Sequence, residues 1–453
     1  MPWSPVNNQQ YERAVGENET FIKIVGDAGL PFNREHWALH ASAAITPLGA
    51  LAQEDLARVL RDAWKVMRFH HPTIAAYIVD EIRYVYDVPN SDALEKWASE
   101  TFTVTENKTA DEVIASITTT LGPYATMTYL PRTGEVLFRS QHWRTDGVGV
   151  FILIDEFLAL VAQSPPVDAS SLPWGEETVR LAPPIEEAAE TPVNPSEEDK
   201  RIGQQCVATF GHAVGAIGIV SRAPVDTRPG GTRTARLYLT EEETKTVVQA
   251  CKNKQVSVTS AVHASVAAAN YAMAAPEDRN KHYTSTIRYS FRRFLPNPYS
   301  SRQYASTIFT TGWLFPVSAD SSWIERARAY HYEYQKGLSP AFISAHREYA
   351  IGLCNLLRSL PAGAPSPTDV DISSIGVIEK YVARERGTPE RGIRIGQASL
   401  GLDMVNRQCV CFLYTFRDQL SLGLVYNEAF YEKASMDSFV EIVKDSLLRE
   451  LTS

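Results

Sequence analysis

A polar stretch at residues 164–199 divides the chain and most constrains how it can fold. The stretch is rich in proline, glutamate and serine and carries no sustained helix or strand pattern, which is typical of a connecting segment. A chain of 453 residues is also too long for one compact core and favours two or three domains. We therefore expect one folded region before the stretch and one after it.

Strand and helix patterns alternate in the part of the chain before this stretch. A helix is predicted at residues 52–71, because apolar residues recur at helical spacing from Leu56 to Met67. Pro72 ends that pattern. Runs rich in β-branched and aromatic residues predict strands at residues 37–45, 75–88 and 126–142, the last as a hairpin.

The part after the stretch shows the same alternation. Residues 256–274 predict a strand end that runs into an alanine-rich helix. Other helices are predicted at residues 239–254, 321–338 and 436–451, and strands at residues 281–295, 300–317, 370–382 and 406–427. No repeat is visible residue by residue. Both halves combine strands, helices and hairpins, so we expect a mixed α/β fold of two lobes.

The overall composition argues against several classes of function. The net charge of −9 disfavours a general surface for nucleic acid or anionic membrane, because phosphates are bound by clustered lysine and arginine. Five scattered cysteines suit a reduced compartment better than a disulfide framework. Neither a CxxC nor an HExxH motif is present, so we expect no metal site.

No segment has the pattern of a secretory signal or a membrane span. The N-terminus lacks the basic and apolar regions of a signal peptide. The longest apolar run, at residues 148–162, is interrupted by Asp155 and Glu156 and is too short to cross a bilayer. We therefore expect a soluble protein of the cytoplasm.

The segment around His142 carries the clearest chemical pattern. A strand-like run ends at His142, and a very apolar helix begins after Asp146 and Gly147. A neutral imidazole can take a proton from a hydroxyl group near neutral pH and return it to a leaving group. Asp146 is placed to brace the turn, and Gly147 lets the helix start close by. A buried structural histidine is the alternative interpretation of the same spacing.

The sequence HWRTDG at residues 142–147 resembles the HxxxDG signature of the chloramphenicol-acetyltransferase-like superfamily. That superfamily includes plant BAHD acyltransferases, peptide-synthetase condensation domains and fungal trichothecene O-acetyltransferases. Further segments that resemble it occur at residues 68–72, 172–184, 256–269 and 420–431. Together these segments most resemble the fungal trichothecene 15-O-acetyltransferase branch.

Two departures from the superfamily narrow this resemblance. The DFGWG motif of the plant enzymes is absent. Condensation domains usually carry a second histidine before the catalytic one, where this chain has Gln141. That difference weakens a role with a carrier protein, and Gln141 becomes a candidate for contact with the substrate.

The resemblance implies two chloramphenicol-acetyltransferase-like lobes that form a pseudo-dimer with a channel between them. The expected lobes are residues 1–165 and 205–453, joined by a linker at residues 166–204. Acyl-CoA, most plausibly acetyl-CoA, would enter the channel from one side as a co-substrate, and a small-molecule alcohol from the other. No tightly bound cofactor is expected, and the chain would act as a monomer.

The resemblance also implies roles for individual residues. His142 matches the general base, and Asp146 matches a structural aspartate that pairs with an arginine of the second lobe. Arg292 is the arginine that we expect in this pair, with Arg293 and Arg288 as alternatives.

Contacts with the two substrates are expected at a second set of residues. Ser373 and Ser374 resemble the strand that lines the channel in relatives, and Trp313 is a candidate for the wall of an apolar acceptor pocket. Ordinary strand and core positions are the alternative for all three. A small basic group that could meet the CoA phosphates, or lie in a solvated loop, is formed by Lys380, Arg384 and Arg386.

The sequence thus favours a CoA-dependent O-acyltransferase of fungal secondary metabolism that acts on a terpenoid or polyketide alcohol. Two alternatives stay open. One is a condensation-like enzyme that takes its acyl group from a carrier protein. The other is a protein that binds or cyclises a terpenoid or polyketide without transferring a group.

Overall fold

The computed structural model of this chain describes residues 2–361 and 366–452. Its strands, numbered in chain order, are β1 (Ser4–Asn7), β2 (Gln10–Ala14), β3 (Leu39–Gly49), β4 (Tyr77–Val79), β5 (Arg83–Asp87), β6 (Phe102–Val104), β7 (Thr126–Leu130), β8 (Glu135–Ser140), β9 (Thr232–Tyr238), β10 (Tyr283–Ser290), β11 (Thr310–Val317), β12 (Val370–Val377), β13 (Glu385–Gly387), β14 (Arg391–Leu402), β15 (Cys409–Phe416) and β16 (Gln419–Asn427). Its helices are α1 (Glu17–Asp27), α2 (Leu56–His70), α3 (Ser91–Thr101), α4 (Ala110–Ala115), α5 (Gly147–Ala162), α6 (Ile185–Ala188), α7 (Glu197–Ala208), α8 (Glu241–Asn253), α9 (Val258–Met273), α10 (Trp323–Lys336), α11 (Pro340–Ser359) and α12 (Lys433–Thr452). None of these described helices has the length and apolar character needed to cross a membrane.

The described strands form two large sheets and two small ones. The first large sheet has six strands in the order β13-β14-β3-β8-β7-β6, and the second has four in the order β12-β15-β16-β9. The small sheets are β1-β2-β5-β4 and β10-β11. Both large sheets contain one parallel pair among antiparallel ones, β6 with β7 and β12 with β15. The predicted mixed α/β fold is therefore confirmed.

Two hydrophobic cores lie on opposite faces of β15. Val410 and Phe412 belong to the first core, together with side chains of α2 and α5. Cys409 and Cys411 belong to the second core, together with side chains of α9 and α12. Because side chains alternate along a strand, this one strand contributes to both cores.

Helix α2 shows how the sequence pattern determines the packing of the first core. Asp55 caps the helix by accepting the backbone N–H of Arg58 at 3.2 Å. Trp64 is fully buried and stacks on Trp97 with ring centroids 5.4 Å apart. Burying one large apolar side chain contributes about 1.5–3 kcal/mol, so this face of the helix is strongly favoured to pack inward.

The chain returns to the first sheet near its C-terminal end. β14 pairs antiparallel with β3 over nearly its whole length, from Arg391 opposite Gly49 to Leu402 opposite Leu39. The sequence predicted no strand at β14. The lobe boundaries expected from the linker stay a prediction. They do not account for β14, a strand from the second half of the chain that joins the sheet of the first half.

The polar stretch expected to be a linker is packed against the rest of the protein. Ala169, Glu177 and Ile185 are buried. α7 begins at Glu197 and packs against α11, so the expected end of the linker at residue 204 lies inside a helix.

The strand end expected before α9 is not observed. The helix begins at Val258, and the hydroxyl group of Ser257 accepts the backbone N–H of Ser260 at 3.1 Å. Serine is among the residues that favour this capping position. The residues predicted as the end of a strand therefore cap the start of α9 instead.

Candidate active site

The turn between β8 and α5 is held in place on both sides. β8 lies between β3 and β7 in the first large sheet, so its end at Ser140 is fixed by two neighbouring strands. α5 is buried along most of its length, and Asp146 caps it by accepting the backbone N–H of Gly149 at 2.8 Å. A short 3-10 turn, His142–Arg144, connects the two elements. The imidazole of His142 is consequently anchored at the end of a central strand.

The hydrogen bond of His142 determines which ring nitrogen can act as a base. Its Nδ1 lies 3.0 Å from the carbonyl oxygen of Thr145. A carbonyl oxygen only accepts hydrogen bonds, so Nδ1 carries the hydrogen in the neutral ring. Nε2 is then unprotonated and can accept a proton from a hydroxyl group.

The surroundings of His142 favour its neutral form. Burial is the main cause that lowers the pKa of His142 below its ordinary value. The hydrogen bond to Thr145 and the charge of Asp146 act in the opposite direction, and the charge of Arg288 adds to the lowering. The net direction is downward, so the ring is a free base at neutral pH.

Asp146 connects this turn to the second half of the chain. Nη1 of Arg292 lies 2.7 Å from Oδ1 and 2.6 Å from Oδ2 of Asp146. Oδ2 also accepts the backbone N–H of Phe309 at 2.8 Å. Both side chains of the pair are almost completely buried, at 9% and 5% exposed. The contact that the resemblance implied is present with Arg292.

The two alternative arginines lie elsewhere. Arg293 is exposed, and its guanidinium carbon lies 4.7 Å from the ring centroid of Phe294. Arg288 forms an ion pair with Asp371. Neither is the partner of Asp146.

The backbone after the turn passes very close to the second half of the chain. The hydroxyl group of Thr145 donates to the carbonyl of Ala305 at 2.9 Å. A Cβ atom at Gly149 would lie 2.2 Å from that same carbonyl oxygen, so only glycine fits there. Gly147 is less restricted, since its Cβ would meet only the side-chain ends of Ile375 and Leu400. The close approach that we expected at Gly147 is more severe at Gly149.

His142 lies in the wall of a cavity between the two halves of the chain. The cavity leaves about 1100 Å³ free of protein atoms, including the part that is open to solvent. Apolar side chains from α1, β3, β14 and β15 form one wall. Side chains from β10, β11 and β12 form another wall, which is mainly polar. Such a cavity can hold a largely apolar molecule that carries oxygen atoms along one edge.

Two of the predicted substrate-contacting residues lie in this cavity. Ser373 and Ser374, both on β12, are part of its polar wall. The hydroxyl groups of Ser374 and Thr259 are 2.9 Å apart. Their contact with a substrate stays a prediction.

The other two predicted substrate contacts lie outside the cavity wall, and this corrects our expectation. Nε1 of Trp313 donates to Glu333 at 3.1 Å, and its ring packs against Tyr289 and Phe342 at centroid distances of 5.1 and 5.2 Å. Gln141 is buried below the turn. Its side-chain amide is used by the protein itself, through a bond to the carbonyl of Gly122 at 2.7 Å and one from Arg144 at 3.0 Å.

The basic group expected to meet the CoA phosphates is not a cluster of free cations. Nη2 of Arg384 lies 2.8 Å from Glu379 and 3.0 Å from Asp418. Arg386 pairs with the fully buried Asp155. Lys380 is exposed. Two of the three charges are therefore paired with carboxylates of the protein, and contact of this group with CoA stays a prediction.

Several residues of the cavity were not identified from the sequence. Asn18, Phe21 and Ile22 of α1 line it, as does Leu400 of β14. The ring of Trp37 lies 6.4 Å from that of His142, centroid to centroid. None of these residues belongs to a motif, and their position depends on contacts that are distant in sequence.

Within residues 2–361 and 366–452, no group of three or more histidine, cysteine, aspartate or glutamate residues could hold a metal ion.

Comparisons with known proteins identify acetyltransferases that are similar to this chain. The chain is 40% identical over 454 residues to acetyltransferase pigO of Monascus ruber, which covers 100% of this chain and 98% of that protein. It is also 30% identical over 439 residues to O-acetyltransferase pigM of the same organism. This second alignment covers 96% of this chain and 84% of that protein. No family model matches the chain.

The fold is similar to that of a solved acetyltransferase. The structure of TRI3 trichothecene 15-O-acetyltransferase from Fusarium sporotrichioides superimposes with a TM-score of 0.82 and covers 98% of this chain and 97% of that chain. The two sequences are 17% identical, so this likeness concerns the fold alone.

Proposed function

Because the chain belongs to the chloramphenicol-acetyltransferase-like superfamily, as an acetyltransferase of the family of pigO and pigM, we propose that it moves an acetyl group from acetyl-CoA to a hydroxyl group of a polyketide or terpenoid. The names of these relatives and the likeness in fold support acyl transfer in fungal secondary metabolism. The proposal adds the donor, the class of acceptor and the catalytic base.

The proposed reaction needs one base and no covalent enzyme intermediate. Nε2 of His142 takes the proton of the acceptor hydroxyl as its oxygen attacks the thioester carbonyl. The tetrahedral oxyanion collapses, the carbon–sulfur bond breaks, and protonated His142 gives the proton to the CoA thiolate. Base catalysis of this kind contributes about 10²–10⁴ in rate, and binding both substrates in one cavity contributes further through orientation.

The proposal rests on the protonation and the position of the His142 imidazole. The bond from Nδ1 to the carbonyl of Thr145 leaves Nε2 without a hydrogen, and His142 lies in the wall of a cavity large enough for a small molecule. The pKa of His142 is lowered, so the base form dominates at neutral pH. Neutrality alone does not distinguish this ring, because burial also lowers the pKa of His263 and His346 to about 3. The position of His142 in the cavity wall does distinguish it.

Asp146 and Arg292 are proposed as positioning residues. Their ion pair is buried and joins the start of α5 to the second half of the chain. It therefore holds the turn that carries His142 against the opposite wall of the cavity. Neither residue is proposed to exchange a proton with the substrate.

The proposal is tested with purified protein, acetyl-CoA and a panel of hydroxylated polyketides and terpenoids, by measuring release of the CoA thiol and the acetylated product. His142→Ala should lower turnover at least about a hundredfold with an unchanged melting temperature. His70→Ala is the matched control, because His70 is exposed and lies outside the cavity wall. Near-normal turnover in His142→Ala would refute the assigned base.

The same assay separates the alternatives. Transfer only from an acetylated carrier protein, and not from acetyl-CoA, would favour a condensation-like enzyme. Binding of acceptors without any transfer would favour a binding or cyclising protein. We also propose that the enzyme is cytoplasmic and monomeric. Elution of the chain near 50.3 kDa in size-exclusion chromatography would support the monomer.

A further inference from the structure

One arginine faces the cavity that contains His142. Along β10 the more exposed residues are Thr286, Arg288 and Ser290, which alternate with buried ones, and all three line the cavity. Side chains at alternate positions of a strand share one face. Arg288 lies on this face and lines the cavity, as does Tyr289 from the other face, and no other lysine or arginine among the described residues lines it.

The guanidinium group of Arg288 is held rigidly by two contacts. Nη1 donates to the carbonyl of Ile372 at 2.5 Å, and Nη2 donates to Oδ2 of Asp371 at 2.6 Å. Each Nη carries two hydrogens, and each of these bonds uses one of them. A second hydrogen on each nitrogen is left for a further acceptor.

The partner of Arg288 is a carboxylate that faces away from the cavity. Oδ1 of Asp371 accepts hydrogen bonds from the hydroxyl of Ser285 and from the backbone N–H groups of Thr286 and Ile372, at 2.8 to 2.9 Å. Oδ2 accepts the hydroxyl of Thr286 at 2.9 Å. Asp371 does not line the cavity. The ion pair is thus oriented with its cationic end inward.

Arg288 is paired with Asp371, but no acidic residue of the cavity wall, within the described ranges, contacts it. The one acidic residue that lines the cavity, within the described ranges, is Asp146, and both of its oxygens are bound by Arg292. Gly312 lies directly opposite Arg288 on β11, so the cross-strand position has no side chain that could compete for the space. A preorganised cation in a partly apolar cavity binds anions far better than one in water.

We propose that Arg288 forms an anion-binding site in the cavity wall, which takes a substrate oxygen that carries negative charge. Two sources have this chemistry: the oxyanion of the tetrahedral intermediate, and an acidic group of the acceptor such as a carboxylate or enolate. The choice between these sources rests on the proposed function, whereas the anion site itself does not. Arg288 and His142 line the same cavity, and the charge of Arg288 contributes to the lowered pKa of His142.

Binding of a matched pair of probes tests the site without any catalysis. The dissociation constants of 2-naphthoate and 2-naphthylmethanol, which share their ring and differ in charge, would be measured by calorimetry at pH 7.5. We expect the wild-type chain to bind 2-naphthoate about tenfold or more tightly than the alcohol, because hydrogen bonds to charged groups are the stronger ones. Arg288→Met should bring the ratio of the two constants close to one.

Two further variants control for a general loss of positive charge and for poor folding of the single variant. Arg293→Met removes an exposed arginine five residues further along the chain and should keep the wild-type ratio. Arg288→Met combined with Asp371→Asn removes both charges of the pair, so it tests the site even if the single variant folds poorly. An unchanged ratio in a folded Arg288 variant, or no binding of 2-naphthoate to the wild-type chain, would overturn the proposal.

Kinetics then identify the source of the negative charge. If Arg288 binds the oxyanion, Arg288→Met should slow acceptor-free hydrolysis of acetyl-CoA about tenfold or more, together with acetyl transfer. If it binds the acceptor, hydrolysis should be unchanged, and KM for the acceptor should rise instead. An Arg288→Met enzyme with normal hydrolysis, kcat and KM would refute both. A wild-type chain that binds 2-naphthoate but never transfers acetyl groups would refute the proposed function and leave the anion site intact.

Discussion

Helix α5 carries two buried carboxylates, and arginines from the second half of the chain bind both of them. Asp146, at the start of the helix, is bound by Arg292. Asp155, in the middle of the helix, is bound by Arg302 at 2.5 Å and by Arg386. The chemistry of the two contacts is the same, and each one joins α5 to the later part of the chain.

The surroundings of the two carboxylates differ. Asp146 ends the turn that holds His142, and its partner arginine is 9% exposed. The arginines that bind Asp155 are 41% and 36% exposed, and none of the three residues lines the cavity of His142. We infer that the first contact serves both stability and catalysis, whereas the second serves stability alone.

The largest effect is expected for Asp146→Asn. This change leaves the buried cation of Arg292 without a charged partner, which costs about 3–5 kcal/mol in other buried pairs. It also loosens the turn that positions His142, so kcat should fall at least about tenfold. Chemical denaturation and steady-state kinetics on the same preparation measure both effects. A variant with normal kcat and normal stability would show that the contact of Asp146 with Arg292 serves neither stability nor catalysis.

Asp155→Asn is the matched variant and should lower stability with little effect on kcat. Its two arginines can reach solvent when their partner loses its charge, so we expect a loss of about 1–3 kcal/mol and a kcat within about twofold of the wild type. Denaturation and kinetics again provide the readouts. If kcat fell as far as in Asp146→Asn, a role for Asp155 in stability alone would be wrong.

Local patterns in the sequence were sufficient to predict the turn of His142. The end of a strand, an aspartate at a capping position and a very apolar helix all lie within residues 138–158, and each is a short-range signal. The resemblance supplied Arg292, which lies 146 positions away from Asp146. Short-range physics alone could not have selected it over Arg288 or Arg293.

The remaining parts of the fold depend on contacts between distant segments. α1 begins after Gly16, which has no side chain to cap it, so its sequence lacks a clear start. β14 contains three glycines, which weaken a strand pattern, and it is stabilised by pairing with β3 more than 340 positions earlier. Both elements line the cavity, which explains why their part of its wall was missed. The pairing of Arg386 with Asp155, 231 positions away, is equally non-local.

The pH dependence of kcat/KM tests a further difference between Asp146 and Asp155, which is their effect on the pKa of His142. The pKa of His142 is lowered from 6.5, and the protonated ring cannot act as a base. Activity should therefore persist below pH 6.5 and decline only as the pH falls through the lowered pKa. The negative charge of Asp146 raises this pKa, so Asp146→Asn should move the acid limb to still lower pH, whereas Asp155→Asn should leave it in place. An acid limb above pH 6.5 in the wild-type enzyme would contradict the assignment.

A third buried carboxylate, Glu186 of α6, shows what happens without an arginine partner. One of its oxygens accepts the backbone N–H of Asn18 at 2.7 Å, and the other has no hydrogen-bond partner among the described residues. Burial, and then the charge of Glu17, raise the pKa of Glu186 from 4.5 to about 8. The folded protein therefore holds a proton on Glu186 that the unfolded chain releases near pH 4.5.

Glu186→Gln should consequently stabilise the protein, in contrast to the Asp→Asn changes on α5. Between pH 4.5 and about 8 the unfolded chain binds fewer protons at this position, so stability falls as the pH rises through that window. Glutamine keeps an oxygen for the N–H of Asn18 and cannot ionise. We expect the variant to be more stable than the wild type by about 1–2 kcal/mol at pH 8, with the difference vanishing near pH 5. Thermal melts across this range measure the effect, and a less stable variant at pH 8 would show that Glu186 has an ionised role instead.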